Sequence, residues 1–230
     1  MARWPLIAAI SAALIGGAAI VYAQTTDDPT QRANHSQEQR DLAASDEAMA
    51  ARAAIANDPI APKMGAEDYD VTIINYTDYQ CPYCRRVHPE LMRLAEEDGR
   101  VRIVYRDWPL FGAASEEAAR AAIASQWQGK HTEFNDALMQ VQGRLDSNKI
   151  RSAANSAGVD WAQLESDLEV RRSDIDGLIG RTNLQAAQMG IQGTPVLLVG
   201  PYMVPGAIDY AGLTQAVALA REFNESINKS

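Results

Sequence analysis

The sequence predicts an α/β fold, and three observations carry that expectation. Two strand-like runs, Val71-Thr72-Ile73-Ile74-Asn75-Tyr76 and Val101 to Tyr105, flank a helix-like run. A second pair, Val196-Leu197-Leu198-Val199 and Tyr202-Met203-Val204, comes near the end of the chain. The stretch between these pairs reads as helical, so the order is strand, helix, strand, several helices, strand, strand, helix. With 47% hydrophobic and 22% charged residues in 230, the composition is that of a globular protein of one domain, or one domain carrying an insertion.

Residues 1–23 read as a targeting segment. Arg3 is the only charge before Asp27, and the apolar run Leu6 to Val21 follows it. Val21-Tyr22-Ala23 offers the small residues a signal peptidase reads, leaving Gln24 as the new N-terminus. An uncleaved anchor is the competing reading, because the uncharged stretch is nearly long enough to span a bilayer. Either way the body of the protein lies outside the cytoplasm, in a periplasmic or other extracytoplasmic compartment where disulfides persist. Residues 24–58 form a helical N-terminal extension, with helix from Asn34 to Ala56. Leu42, Met49 and Ala56 recur every seven residues and Ala53 thickens that stripe, which suits either a solvated or loosely docked helix or an oligomerising one. Asn57-Asp58-Pro59 ends it, and Pro59 and Pro62 make an extended linker.

The core follows as residues 59–112 and 190–230, with residues 113–189 as an inserted helical domain. After the strand Val71 to Tyr76, a helix runs from Arg85 to about Glu97, with Gly99 as its stop and Pro89 expected to kink its second turn. Trp108-Pro109-Leu110-Phe111-Gly112 breaks the pattern after the second strand. Ser115 with Glu116 and Glu117 reads as an N-cap and acidic first turn. Helical patterns continue through Glu133–Val141, Asn148–Ala157, Trp161–Val170 and Asp174–Met189. Gly129, Gly143, Asp146 and Gly158-Val159-Asp160 punctuate them. The last helix covers about Tyr210 to Glu225. Trp108, Trp127 and Trp161 read as packing residues, and His131 as a helix-start or core histidine.

A formal charge of −9 and the absence of a basic stripe argue against a nucleic-acid partner, since phosphate binding needs a clustered cationic surface. The chemistry concentrates elsewhere. Cys81-Pro82-Tyr83-Cys84 holds the only two cysteines, at a strand-to-helix turn. Thiol–disulfide exchange needs that arrangement: helix-start N–H groups and the macrodipole favour the Cys81 thiolate, and Cys84 falls one turn inward, within reach of a mixed disulfide at Cys81. Pro82 suits the first helical position, where a missing N–H costs nothing. Three other readings stand beside this one. A structural disulfide would close a four-residue ring worth only roughly 2 kcal/mol. A metal site could recruit Cys81, Cys84 and His88; structural zinc wants four ligands, whereas Cu(I) accepts two thiolates. The thiols could also be buried and inert.

Asp78-Tyr79-Gln80-Cys81-Pro82-Tyr83-Cys84, His88-Pro89-Glu90-Leu91 and Gly193-Thr194-Pro195 together resemble the DsbA-type thioredoxin-fold thiol oxidoreductases. The long helical block between the second and third core strands is similar to that family's insertion. Asn57-Asp58-Pro59 and the helical extension resemble its ScsC-like and DsbG-like branch, some members of which oligomerise through that region. The resemblance implies a thioredoxin fold with an inserted helical domain and an N-terminal helical extension. It implies a cis Thr194–Pro195 peptide facing the cysteines, as a loop that pairs with extended substrate. It implies an extracytoplasmic protein disulfide oxidoreductase with Cys81 as nucleophile and Cys84 as resolving thiol. Pro82, Tyr83 and His88 are auxiliary, and no bound cofactor is needed. The implied partners are unfolded or misoxidised secreted proteins and a membrane redox protein, with a homo-oligomer through Asn34 to Ala56 as a further expectation. Two functions compete: an isomerase or reductase kept reduced by a membrane donor, and a Cu(I)-binding, copper-protective protein.

One departure from the family stands out. Related enzymes often carry a buried acid six positions before the first cysteine, and here that position is Asn75. An amide cannot titrate, so water or Asp78 would have to serve the proton step. Tyr83 adds no cation beside the thiolate. Helix-start cysteines in such motifs span a pKa of about 3.5 to 7.5, the low end being DsbA itself, and Cys81 is expected inside that interval.

Overall fold

The computed structural model describes residues 46–65 and 67–229. The signal segment 1–23 and the first part of the extension, including Leu42, lie outside the described residues. The elements are α1 (Asp46–Ala56), β1 (Lys63–Gly65), β2 (Val71–Thr77), α2 (Pro82–Asp98) and β3 (Val101–Asp107), followed by α3 (Ala113–Ser125) and a short 3₁₀ turn, Gln126–Gln128. Then come α4 (His131–Gln140), α5 (Ser147–Ser156), α6 (Trp161–Val170), α7 (Arg172–Gln188), β4 (Val196–Val199), β5 (Tyr202–Pro205) and α8 (Tyr210–Asn228).

The five strands form one sheet in the order β1-β3-β2-β4-β5. β2 and β3 run parallel, joined through α2, with Val71 opposite Val101 and Thr77 opposite Asp107. β4 pairs antiparallel with β2, and β5 with β4. A parallel pair needs a helical crossover, and the amphipathic α2 supplies it. β1 is an antiparallel edge strand on β3 that the sequence reading absorbed into the linker. Its three residues are too few to show alternation. Gly65 is required there: at φ +114 it lies so close to β3 that an added Cβ would sit 2.3 Å from the Val101 carbonyl oxygen.

Because side chains alternate along a strand, the sheet buries two different faces. Val71, Ile73, Val101, Ile103, Tyr105, Leu197 and Val199 face Val87, Leu91 and Leu94 of α2 and Leu213 and Val217 of α8. Ile74, Tyr76, Val104 and Leu198 face the opposite core, built with Ile55 of α1 and the helices from α3 onward. Both strands of the parallel pair read as near-continuous apolar runs for this reason.

α2 begins at Pro82 with Cys81 as its N-cap and ends at Gly99, which is left-handed at φ 66. It stays helical through Pro89, whose missing N–H leaves the Arg85 carbonyl without its usual donor. Ser115 lies inside α3, whose N-cap is Gly112, so the expected cap is corrected. Its hydroxyl instead donates to Asp78 Oδ1 at 2.8 Å. Asp146 and Asp160 do cap their helices, accepting from Lys149 N and Gln163 N.

The end of α1 docks on the core through Arg52, Ile55 and Ala56, while Ala53 of the expected stripe is exposed. Asp58 clamps it there. Its carboxylate meets the fully buried Arg106 at 3.0 Å and Arg181 of α7 at 2.8 Å, and Arg106 also donates to the Ile55 carbonyl. Burial alone would raise the Asp58 pKa; hydrogen bonds from Arg181 and the Ile60 amide, with Arg106, outweigh it and hold the carboxyl at about 2.

Candidate active site

The carboxyl ends of β2 and β3 meet the start of α2, and the sequence-predicted residues converge there. Thr77 ends β2, the turn Asp78-Tyr79-Gln80 follows, and Cys81 opens the helix. Asp78 builds that turn: it accepts from Gln80 N at 2.7 Å, Leu110 N at 2.6 Å, Phe111 N at 3.2 Å and the Ser115 hydroxyl. Four donors converge on its carboxylate, which organises the loop. Gln80 ties the same loop down through the Phe111 carbonyl.

Cys81 and Cys84 are both free thiols and both 2% exposed. Thr194–Pro195 is cis and lies directly against Cys81, whose thiol donates to the Thr194 carbonyl oxygen at 3.2 Å. The two sulfurs differ sharply. The Cys81 pKa is lowered to about 5, first by a hydrogen bond from the Cys84 thiol; burial opposes this, and the Thr194 hydroxyl and the Cys84 and Tyr83 amides assist. In the uncharged dithiol the buried Thr194 hydroxyl has no hydrogen-bond partner, and the thiolate supplies one. Burial, then the hydrogen bond given to Cys81, pushes the Cys84 thiol far up. Neighbours of Cys84 are the Thr77 side chain and the Asp78 backbone. One sulfur is thus an anion at neutral pH while the other keeps its proton.

Tyr83 brings no cation to the pair, and the sequence named none in its place. Arg85 supplies one: its guanidinium interacts with the Cys81 charge while donating to the Tyr79 carbonyl at 2.8 Å and the Gly143 carbonyl at 2.9 Å. Tyr83 is 53% exposed, with the Arg86 guanidinium over its ring. His88 reaches α4, where Nε2 lies 3.0 Å from Asp136 Oδ1. Burial lowers its pKa against the pull of Asp136. Among the described residues no group of three or more His, Cys, Asp or Glu side chains could hold a metal ion, so His88 does not complete a ligand set with the cysteines. Leu110 and Phe111 are exposed beside the turn and, with Tyr83, give the rim an apolar character.

Asp107, at the end of β3, went unnoticed in the sequence. It is 2% exposed, and Tyr79 donates its phenol to Oδ1 at 3.2 Å, while Asn135 of α4 donates to that phenol at 3.0 Å. The available signal was its parity: Val101, Ile103, Tyr105 and Asp107 share one strand face, and an acid ends an otherwise buried row.

A family model described as thioredoxin matches residues 57–218. A thioredoxin-like oxidoreductase from Silicibacter pomeroyi is similar at 38% identity and a TM-score of 0.70, over 74% of this chain and 98% of that one. The catalytic domain of Proteus mirabilis ScsC is similar at 28% and 0.68, over 76% and 98%. The thiol-disulfide exchange protein alpha-DsbA2 from Wolbachia pipientis is similar at 25% and 0.70, over 74% and 92%. Among curated relatives, the Na(+)/H(+) antiporter NhaA 1 of Salinispora arenicola is 29% identical over 164 residues, 68% of this chain and 24% of that protein. The chain therefore spans about a quarter of the length of the first curated relatives it matches.

Proposed function

The chain belongs to the thioredoxin family, and we propose that it is an extracytoplasmic protein thiol–disulfide oxidoreductase acting through Cys81 and Cys84. The observation that carries this reading is the asymmetry of the pair: a Cys81 pKa lowered to about 5 beside a Cys84 thiol pushed far up. A substrate thiolate attacks Cys81 of the oxidised pair, the Cys81–Cys84 bond breaks, and Cys84 leaves. A second substrate thiol then attacks the substrate sulfur, and Cys81 departs as the stabilised thiolate, so two electrons pass from substrate to enzyme. An anion that leaves easily favours the reduced pair and makes the disulfide an oxidant. Pro82 sets the helix start, and Tyr83 with Leu110 and Phe111 offers apolar contact to unfolded secreted chains. Thr194 and Pro195 face the substrate, a role supported by the contact of the Thr194 carbonyl with the Cys81 sulfur.

The reading extends to location, partners and organisation. The targeting segment argues for an extracytoplasmic site; among the described residues no helix is long and apolar enough to cross a membrane. A membrane redox protein restores the disulfide. Residues 59–112 and 190–230 carry the exchange chemistry, with 113–189 as the inserted helical unit. The test is oxidative refolding of a reduced, disulfide-containing protein by stoichiometric oxidised enzyme. Wild type should return native substrate, and Cys81→Ser should return none; equal yields would overturn the reading.

A further inference from the structure

We propose that the groove between α2 and α4 is a subsite for an acidic segment of the substrate, the stretch of chain two or three residues from its reacting cysteine. This rests on the exchange reading above and names the substrate class that the same site prefers. The groove holds about 600 Å³ and starts beside the redox pair, at Pro82. Pro89 on α2, with Met139 and Val141 at the end of α4, gives it apolar walls. Arg85 and Arg86 line it from the first two turns of α2. They follow Cys81 by four and five residues, which is about 6–8 Å along the helix axis. An extended chain advances about 3.3 Å per residue, so the second or third residue from a cysteine bonded to Cys81 reaches them.

Charge decides the occupant. The Arg85 side chain donates to two carbonyl oxygens, of Tyr79 and Gly143, and its Nη2 has no hydrogen-bond partner among the described residues. Arg86 is exposed and lies over the Tyr83 ring, with no carboxylate in ion-pair reach among the described residues. Asp136 is the acid on this wall, and both its oxygens are already engaged: Oδ1 meets His88, and Oδ2 accepts from Gln140 at 2.6 Å. Burial lowers the His88 pKa, so that ring is neutral at pH 7 and adds no charge. The groove is therefore cationic, on a chain whose formal charge is −9. A carboxylate complements it, and the apolar walls strengthen the attraction by thinning the water around the pair. Arg86 also borders a second groove, where Glu90 and Asp209 stand beside Ala207 and Ile208. The cationic character thus belongs to one side of the redox pair.

The redox state of the pair adjusts this field. Burial lowers the Arg85 pKa, and the charges of Asp78 and Cys81 oppose that fall. Asp78 is present in both forms, with its carboxylate already taking four donors. The Cys81 charge exists in the dithiol alone. In the disulfide it is gone, so Arg85 and Arg86 present a stronger positive field in the form that meets reduced substrate. Both arginines set specificity and take no part in the bond exchange.

The experiment mixes the oxidised full chain with an excess of a peptide carrying one cysteine, at pH 7 and low salt. Reduction of the protein is followed by acid quench and chromatography. Glutamate, glutamine or lysine stands two residues before the cysteine in one series and two residues after it in another. Dividing each rate by that of the same peptide with hydroxyethyl disulfide removes the effect of neighbouring charge on the peptide thiol itself. On one side of the cysteine, glutamate should be faster than glutamine by about fivefold, and lysine slower. On the other side glutamate should bring no advantage. Arg86→Gln should remove most of the advantage, and Arg86→Glu should reverse it. In wild type the advantage should fade as sodium chloride rises to about 1 M. Equal normalised rates for all three peptides, or the same glutamate advantage on both sides, would overturn the inference and leave the exchange reading standing. An advantage that survives Arg86→Glu overturns it too; should that variant not fold, a wild-type advantage untouched by salt does so equally. If no peptide reduces the oxidised chain, the exchange reading falls and the inference with it.

Discussion

Oxidising the Cys81–Cys84 pair removes a charged group that the fold favours, and the consequence for stability can be worked out. The Cys81 pKa is about 5 when folded, against a reference of 9.0. A depressed pKa contributes stability that is fully present above the unfolded value and is lost as pH falls through the folded one. At pH 7 the two-unit gap above the folded value corresponds to at most about 2.7 kcal/mol in favour of the dithiol form. The oxidised form has its own advantage, because a four-residue ring restrains the unfolded chain by roughly 2 kcal/mol. The net expectation at pH 7 is a dithiol protein more stable by about 1 kcal/mol, growing towards ~3 kcal/mol near pH 9. Groups shared by the two redox forms cancel in the difference, so its slope is the sharper quantity. Between pH 5.5 and 8 the gap should widen by about 1.4 kcal/mol per pH unit, and the order should invert below roughly pH 6.5. Urea melts of both forms across that range measure it. A gap that stays flat with pH, or an oxidised form more stable throughout, would refute the assignment of Cys81 as the stabilised anion.

Further outcomes follow from the same contacts. Alkylation of Cys81 by iodoacetamide should titrate with a midpoint near pH 5, and Thr194→Val should raise that midpoint by about one unit, the worth of a hydrogen bond to a charge. Asp58→Ala should cost about 3–5 kcal/mol in urea melts by leaving Arg106 buried without its partner. Since the Asp58 carboxyl is held at about 2, its contribution is present above the ordinary carboxylate range and disappears only as pH falls through that value. If the N-terminal extension oligomerises the protein, deleting residues 34–45 should yield a monomer by light scattering that loses shuffling of scrambled substrates, through lower effective concentration. A mature chain that is already monomeric removes that expectation.

The parts of the fold that were legible in the sequence are those written in local chemistry. The apolar runs of β2, β3 and β4 gave themselves away by composition, and Asp146 and Asp160 stood out as breaks before helices that they turn out to cap. The exchange pair was visible because two cysteines three apart have few other uses. What escaped depends on residues far apart in the chain. β1 is strand only because β3 offers its edge, and Asp58 looked like a helix terminator until Arg106 and Arg181 were placed around it. Ser115 resembled a cap, but Asp78, thirty-seven residues earlier, takes its hydroxyl. Asp107 was hidden for the same reason: its burial is set by Tyr79 and Asn135, neither of which the strand pattern names.

The central claim is that Cys81 is the sulfur that bonds to substrate and Cys84 its internal partner, and trapping tests it most directly. Cys84→Ser, expressed with its natural targeting segment, should accumulate mixed disulfides between Cys81 and substrate proteins, visible as adducts on non-reducing gels and released by dithiothreitol. Cys81→Ser should accumulate none, because the remaining thiol holds its proton. Adducts on Cys81→Ser with none on Cys84→Ser would contradict the account.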